Sequence, residues 1–146
     1  EIGPSTISVS IHAAKPHTAS RIYEWIEMDG RVPVDKKLGS YILNKQLIGI
    51  RKASAAGILV KVNTVLIPQI NENEMVRIAK RISQHGATLH NIIPLIPSGR
   101  LKSLLPPTKK QLDDIRKKAS QHIPQFYHCY QCRSDVVGIP GQDDIL

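Results

Sequence analysis

The stretch ILVKVNTVLIP, residues 58–68, decides how the rest of the chain is read. It is short, apolar and rich in β-branched side chains, and it runs from just after Gly57 to a closing Pro68. Such a run favours a strand, because branched side chains pack well on a pleated surface. Two further segments share its character: TISVSIHA at 6–13 and ATLHNIIPLIP at 87–97. Between and around them the spacing changes to that of helices. In 41–57, Ile42, Leu43, Leu47, Ile50 and Ala53 or Ser54 fall on one face, and Gly57 ends the pattern. In 71–86, Asn71 and Glu74 have the spacing of a capping box and Gly86 closes the helix. In 108–121, Thr108 and Gln111 repeat that spacing after Pro106 and Pro107. A further helix is expected over 18–28, and an exposed loop over 30–39. The order is strand, helix, helix, strand, helix, strand, helix. Strands separated by helices pair in parallel through right-handed crossovers, so the fold class is α/β with parallel strands and flanking helices.

Bulk properties narrow the setting. The chain has 146 residues, 41% of them apolar, enough for one domain with a core of its own. No apolar run reaches the ~18 residues of a membrane span, and the first residues carry no secretory pattern. Two cysteines do not make a disulfide framework, which points to a reducing, cytoplasmic compartment. The net charge of +8 is spread over helical patterns such as Lys80 and Arg81, or Arg116 to Lys118, as solvated helix faces would have it. Salt-sensitive nucleic-acid binding is the minor reading of that charge. With one Phe, one Trp and four Tyr there is no aromatic-basic signature for RNA, and neither nucleic acid nor membrane is expected as a partner.

Three parallel strands make a poor complete domain, and the first begins almost at Glu1. Its outer edge would be open, which proteins avoid. The expectation is the second half of a larger βα sheet or barrel; the alternative is a small three-stranded α/β domain. In either case ligands gather at the carboxyl ends of the strands. That face holds residues 12–16, 66–71 and 94–100. Ser10, Asn63 and Asn91 lie just below it, polar within apolar runs; a buried Asn must find partners, and hydrogen bonds to backbone would suffice. Residues 123–129 are extended in character. At ~3.3 Å per residue they could climb roughly 23 Å back along the sheet. That would bring the chain's only cysteines, Cys129 and Cys132 in HCYQCRSD, over the same mouth. A single C-x-x-C is half of a tetrahedral zinc site, a redox dithiol, two ligands of an iron–sulfur cluster, or a structural pair. No second such pair completes a zinc site, and Gly138 and Pro140 follow too closely for the helix of a thioredoxin-like dithiol. A cluster completed by ligands from elsewhere suits a partial chain best.

Taken together, ILVKVNTVLIP with the QIN that follows it, HNIIPLIP, and HCYQCRSDVVGIPGQD resemble the carboxyl-terminal half of the radical S-adenosylmethionine domain of the NifB family. ISVSIHAAKP with RIYEWI resembles the family's matching strand and helix. The likeness runs from about Ile7 to Asp143, and its specific part is the C-x2-C-R-x-D-x-x-G ending.

The resemblance implies the carboxyl-terminal half of a partial (βα)6 barrel over residues 1–146, with 123–146 as a cluster-binding tail. It implies S-adenosylmethionine and [4Fe-4S] clusters as cofactors, and a role in nitrogenase cofactor biosynthesis. There, two [4Fe-4S] clusters are fused and a carbide is inserted. The family uses cysteines at the positions of Cys129 and Cys132 to hold auxiliary clusters. Ser10 matches a hydroxyl residue bordering S-adenosylmethionine, and Val62 with Asn63 matches the next cofactor-contacting segment. Arg133 and Asp135 match an R-x-D that would support the clusters from behind. Where the family carries Asn, this chain has His12; where it carries Ala, this chain has Ser134 and Val136. The family's C-x3-C-x2-C loop and Gly-rich segment are absent from this sequence. The chain is therefore expected to be a fragment, inactive by itself, whose partners are the amino-terminal half of the parent, iron–sulfur donors and cofactor carriers. The alternative is a noncatalytic iron–sulfur-binding or carrier domain.

Overall fold

The computed structural model describes residues 3–27 and 30–127. The elements are β1 (Thr6–Ser10), α1 (Pro16–Ile22), β2 (Trp25–Glu27), β3 (Arg31–Pro33), α2 (Lys36–Ala55), β4 (Leu59–Leu66), α3 (Met75–Gln84), β5 (Leu89–Pro94) and α4 (Lys109–Ala119). The main sheet has the order β1-β4-β5, and both pairings are parallel. The three expected strands and the α/β class are present.

Strand alternation sorts the two faces of this sheet. Along β4, Val60, Val62, Thr64 and Leu66 are buried, whereas Lys61, Asn63 and Val65 are half-buried. The buried set packs with Leu43, Leu47 and Ile50 of α2, Ile78, Ala79 and Ile82 of α3 and Ala119 of α4 in one apolar core. Each side chain of this size withdrawn from water contributes about 1.5–3 kcal/mol. All three long helices thus cover one face. The other face carries Ser10, Lys61, Asn63 and Asn91 and, among the described residues, has no helix of the core against it.

Two expectations change between β1 and β4. Residues 18–28 do not form one helix. α1 starts at Pro16, which is suited to a first helical turn, and ends where Tyr23 turns extended (φ −87°, ψ 121°). The aromatic and β-branched residues that follow pair instead as a hairpin, Trp25 with Pro33 and Ile26 with Val32. Nor is 30–39 a loop. β3 and the first turn of α2 lie within it, and Asp35 caps α2 by accepting a 2.8 Å bond from the Leu38 N–H. α2 is therefore a turn longer than its apolar spacing indicates.

Gly39 sits inside α2 because α1 crosses it closely: a Cβ there would run into the Pro16 carbonyl. Gly39→Ala is expected to cost about 2–3 kcal/mol, as overpacking against backbone does. Urea denaturation checks this; Gly49→Ala, on the open side of the same helix where a Cβ meets nothing within 4 Å, is expected to be neutral or stabilising.

The helix ends behave mostly as the sequence indicates. Gly57 and Gly86 take positive φ (76° and 95°) and close α2 and α3. Thr108 and Gln111 form a reciprocal capping box on α4. Asn71 and Glu74 do not cap α3; their side chains point to the loop after β1.

Candidate functional site

The carboxyl-terminal end of the sheet is built on the loop after β1. Residues 11–15 leave the strand there with their backbone groups turned toward β4 and α3. Thr64 Oγ donates to the Ile11 carbonyl at 2.6 Å. Asn71, fully buried, donates to the His12 and Val65 carbonyls at 2.8 Å and accepts from the Ile67 N–H at 2.7 Å. Glu74 accepts from the N–H groups of Ala14 (2.7 Å) and Lys15 (3.1 Å) and from Thr18 Oγ (2.7 Å). Arg81 donates to the Ala14 carbonyl at 2.7 Å. A loop without regular structure must have its polar groups satisfied when buried, and these four side chains do it. Sequence spacing assigned Asn71 and Glu74 to a helix cap, because only the tertiary fold brings residues 11–15 to them.

Ser10, Asn63 and Asn91 form a row across the helix-free face: Ser10 is the register partner of Asn63, and Asn63 that of Asn91. Asn91 donates to Asn63 Oδ1 at 3.0 Å. Asn91 is only 2% exposed, and its own Oδ1 has no partner among the described residues. The two asparagines therefore bind each other rather than the backbone, and the Asn91 acceptor stays buried. Val62 is placed differently. It is fully buried in the core beneath the helices, so its side chain points away from Ser10 and Asn63.

His12 continues the parity of Ser10 beyond the strand end. Its Nδ1 lies 3.2 Å from the Val65 N–H, and its ring stacks on Tyr23 with centroids 6.0 Å apart. Since the amide donates, Nδ1 is unprotonated and the ring is neutral. Burial lowers its pKa to about 4. Tyr23 accepts from Gln46 Nε2 at 3.0 Å, and burial raises its pKa against the opposing pull of that bond and of the His12 backbone.

His90 lies on the core face, fully buried. Its Nε2 is 2.9 Å from Thr64 Oγ. The Thr64 hydrogen is already given to Ile11, so His90 donates through Nε2 and its Nδ1 is a bare acceptor with no partner among the described residues. Burial lowers this pKa to about 4 as well.

After α4 the chain turns back along the sheet, as its extended character suggests. The His90 N–H donates to the Pro124 carbonyl at 2.9 Å and the Phe126 N–H to the His90 carbonyl at 2.8 Å, a parallel bridge on the outer edge of β5. Lys61 Nζ, from the helix-free face, lies 5.3 Å from the centre of the Phe126 ring. The direction at Phe126 is toward the carboxyl ends of the strands. Cys129, Cys132, Arg133 and Asp135 lie outside the described residues. Among the described residues no group of three or more His, Cys, Asp or Glu could hold a metal ion, and no helix is long and apolar enough to cross a membrane.

No family model matches the chain. Individual relatives do. The FeMo cofactor biosynthesis protein NifB of Methanocaldococcus infernus is 39% identical over 141 residues, which is 97% of this chain and 46% of that protein. NifB of Methanocaldococcus jannaschii is 37% identical over 146 residues, covering 100% of this chain and 48% of the relative. NifB of Klebsiella pneumoniae is 34% identical over 149 residues, 98% of this chain and 32% of that longer protein. The chain spans about half the length of the first two relatives. By these matches the chain is homologous to a segment of NifB proteins.

Proposed function

We propose that this chain is the carboxyl-terminal part of the radical S-adenosylmethionine domain of a NifB-type enzyme, and that the helix-free face of its sheet holds S-adenosylmethionine. The observation that carries the proposal is the row Ser10–Asn63–Asn91. It lies near the carboxyl ends of parallel strands, on the face that every long helix leaves open. Strands added in sequence order with helices on one side are a segment of a barrel wall; a doubly wound sheet has helices on both. An adenosyl group needs a few fixed polar partners on an otherwise apolar wall. Ser10 Oγ and the Asn63 amide are such partners, with Val65 and Ile93 beside them to exclude water. Val62 holds β4 to the helices behind this row, and Asn63 carries the contact. Neutral His12 stands at the rim as a hydrogen-bonding group without charge.

When bound, S-adenosylmethionine supplies the methyl carbon and the radical precursor. The substrate is a pair of [4Fe-4S] clusters, fused into the eight-iron core of the iron–molybdenum cofactor precursor. Cys129 and Cys132 would each give a thiolate to an auxiliary cluster. The return of residues 124–126 along β5 supports this, since the chain there runs toward the same end of the sheet. Donors of iron–sulfur clusters and carriers of the product are the expected partners, in the cytoplasm.

The test is anaerobic cluster reconstitution of the NifB-length protein that carries this segment, beside the 146-residue chain alone. Iron content, electron paramagnetic resonance and S-adenosylmethionine cleavage are followed in both. The long protein is expected to take up three clusters and cleave the cofactor, and the short chain to do neither. A stable cluster on the short chain without cleavage in the long protein would establish the carrier reading instead. In the long protein, Cys129→Ala and Cys132→Ala should each lower iron content by up to about one cluster. Unchanged iron in both refutes the ligand assignment.

A further inference from the structure

The segment that returns along the outer edge of β5 meets a buried side chain there. His90 bonds outward, to the Pro124 carbonyl and from the Phe126 N–H, whereas the Leu95 N–H bonds inward to the Leu66 carbonyl. Parallel pairing alternates, so Ile92 turns outward like His90. The next rung would bring the N–H of residue 128 to the Ile92 carbonyl. That carbonyl is already occupied. Arg116 of α4 donates to it through Nε at 3.1 Å and through Nη2 at 2.7 Å. A carbonyl oxygen has two lone pairs, and the guanidinium engages both.

Arg116 is only 7% exposed, and the ion pairs among the described residues, Arg100 with Glu24 and Lys109 with Asp113, do not include it. A buried cation without a carboxylate is costly to hold, so stability alone gives little reason for an arginine at this point. Its guanidinium also lies 5.6 Å from the centre of the Tyr127 ring, which keeps Tyr127 beside α4. The place of this contact matters because Cys129 and Cys132 begin two residues later. Side chains along a strand alternate between faces, so residues three apart point to opposite sides. In the register of His90 with Gln125, continued pairing would set Cys129 opposite Pro94, on the helix side with Tyr127. Cys132 would then have the opposite parity. An extended C-x-x-C therefore cannot turn both thiols to the helix-free side.

We propose that Arg116 is a positioning residue for Cys129 and Cys132. By filling the Ile92 carbonyl it ends the pairing with β5 before residue 128 and frees the residues that follow from the strand's alternation, so that both thiols can be turned to one side. This deepens the functional reading and rests on the two cysteines being cluster ligands.

The test uses the NifB-length protein and its Arg116→Met and Arg116→Lys variants. Exchange of single amides is followed before cluster reconstitution, and iron content and electron paramagnetic resonance after it. In the parent, His90 and Phe126 are expected to be protected and His128 to exchange fast. Arg116→Met fills the space without a donor and leaves the Ile92 carbonyl to the His128 N–H, whose exchange should slow about tenfold. Iron content should then fall by up to about one cluster, with loss of that cluster's paramagnetic signal. Val62 and Ile82, amides of the core, should exchange as in the parent; a merely structural role would speed them and leave His128 fast. Arg116→Lys keeps a charged donor for the Ile92 carbonyl and should leave His128 fast and restore most of the iron. Where Arg116→Met also speeds the core amides, Arg116→Lys decides: iron and His128 as in the parent uphold the proposal, and iron lost with His128 still fast overturns it. Protection of His128 in the parent, or unchanged iron and exchange in Arg116→Met, overturns the proposal even where Cys129→Ala and Cys132→Ala lose iron and the ligand reading stands. Unchanged iron in both cysteine variants removes the ligand reading, and slowed exchange at His128 in Arg116→Met then upholds the strand stop without it.

Discussion

Glu74→Ala is expected to destabilise this chain by about 4 kcal/mol, because Glu74 is the one buried carboxylate among the described residues. Glu74 is 5% exposed and accepts three hydrogen bonds, two from backbone N–H groups at the start of α1 and one from Thr18. Alanine leaves the Ala14 N–H and the Thr18 hydroxyl buried without an acceptor, and water has little room to replace the carboxylate. Leaving each such group unpaired costs about 1–3 kcal/mol. Glu74→Gln separates charge from shape. Its amide oxygen still accepts from the Ala14 and Lys15 N–H groups, and its NH2 can donate to Thr18, so a loss of about 1–2 kcal/mol is expected. Asn73→Ala, next to it but exposed, should change stability by less than about 0.5 kcal/mol. Urea denaturation of the three variants checks the order. A Glu74→Ala variant as stable as the parent would mean that the loop after β1 is held by Asn71 and Arg81 alone. The same loop carries His12 and adjoins Ser10 of the proposed site.

Mild acid should weaken the fold in a window set by two histidines. Burial lowers His12 and His90 from 6.5 to about 4. Between those values the unfolded chain binds protons that the folded chain refuses. Stability is therefore full above about pH 6.5 and is lost as the pH falls toward about 4. Each histidine contributes up to about 3 kcal/mol across the window, by the conversion of about 1.4 kcal/mol per pKa unit. The structural reasons differ. A proton on His12 Nδ1 would face the Val65 N–H that now donates to it. A proton on His90 Nδ1 would be a cation in the apolar core with no acceptor among the described residues. Urea midpoints at pH 7.5, 6.5, 5.5 and 4.5 measure the loss above the ordinary carboxylate range. His90→Gln keeps a donor for Thr64 without the titration and should roughly halve the slope. Equal stability at pH 7.5 and 4.5 would contradict the assignment of both rings as neutral acceptors.

The sequence by itself determined the parts of this protein that depend on local pattern. β4 and β5 were legible in their β-branched runs, α3 and α4 in their apolar spacing, and the helix ends in Gly57, Gly86 and the Thr108–Gln111 pair. The likeness to NifB was also written there, because it rests on residues adjacent in the chain. The hairpin of residues 25–33 was not legible, since Tyr23 to Glu27 suits a helix or a strand by local preference and pairing partners decide between them. The site was half legible. Ser10, Asn63 and Asn91 stood out as polar residues in apolar strands, but which face they share depends on register, and register placed Val62 on the other side. Asn71 and Glu74 have the spacing of a cap, yet they bind a loop some sixty residues earlier. A local pattern shows that a polar side chain will find partners; only the packed chain, by burying the backbone of residues 11–15 against α3, decides which partners those are.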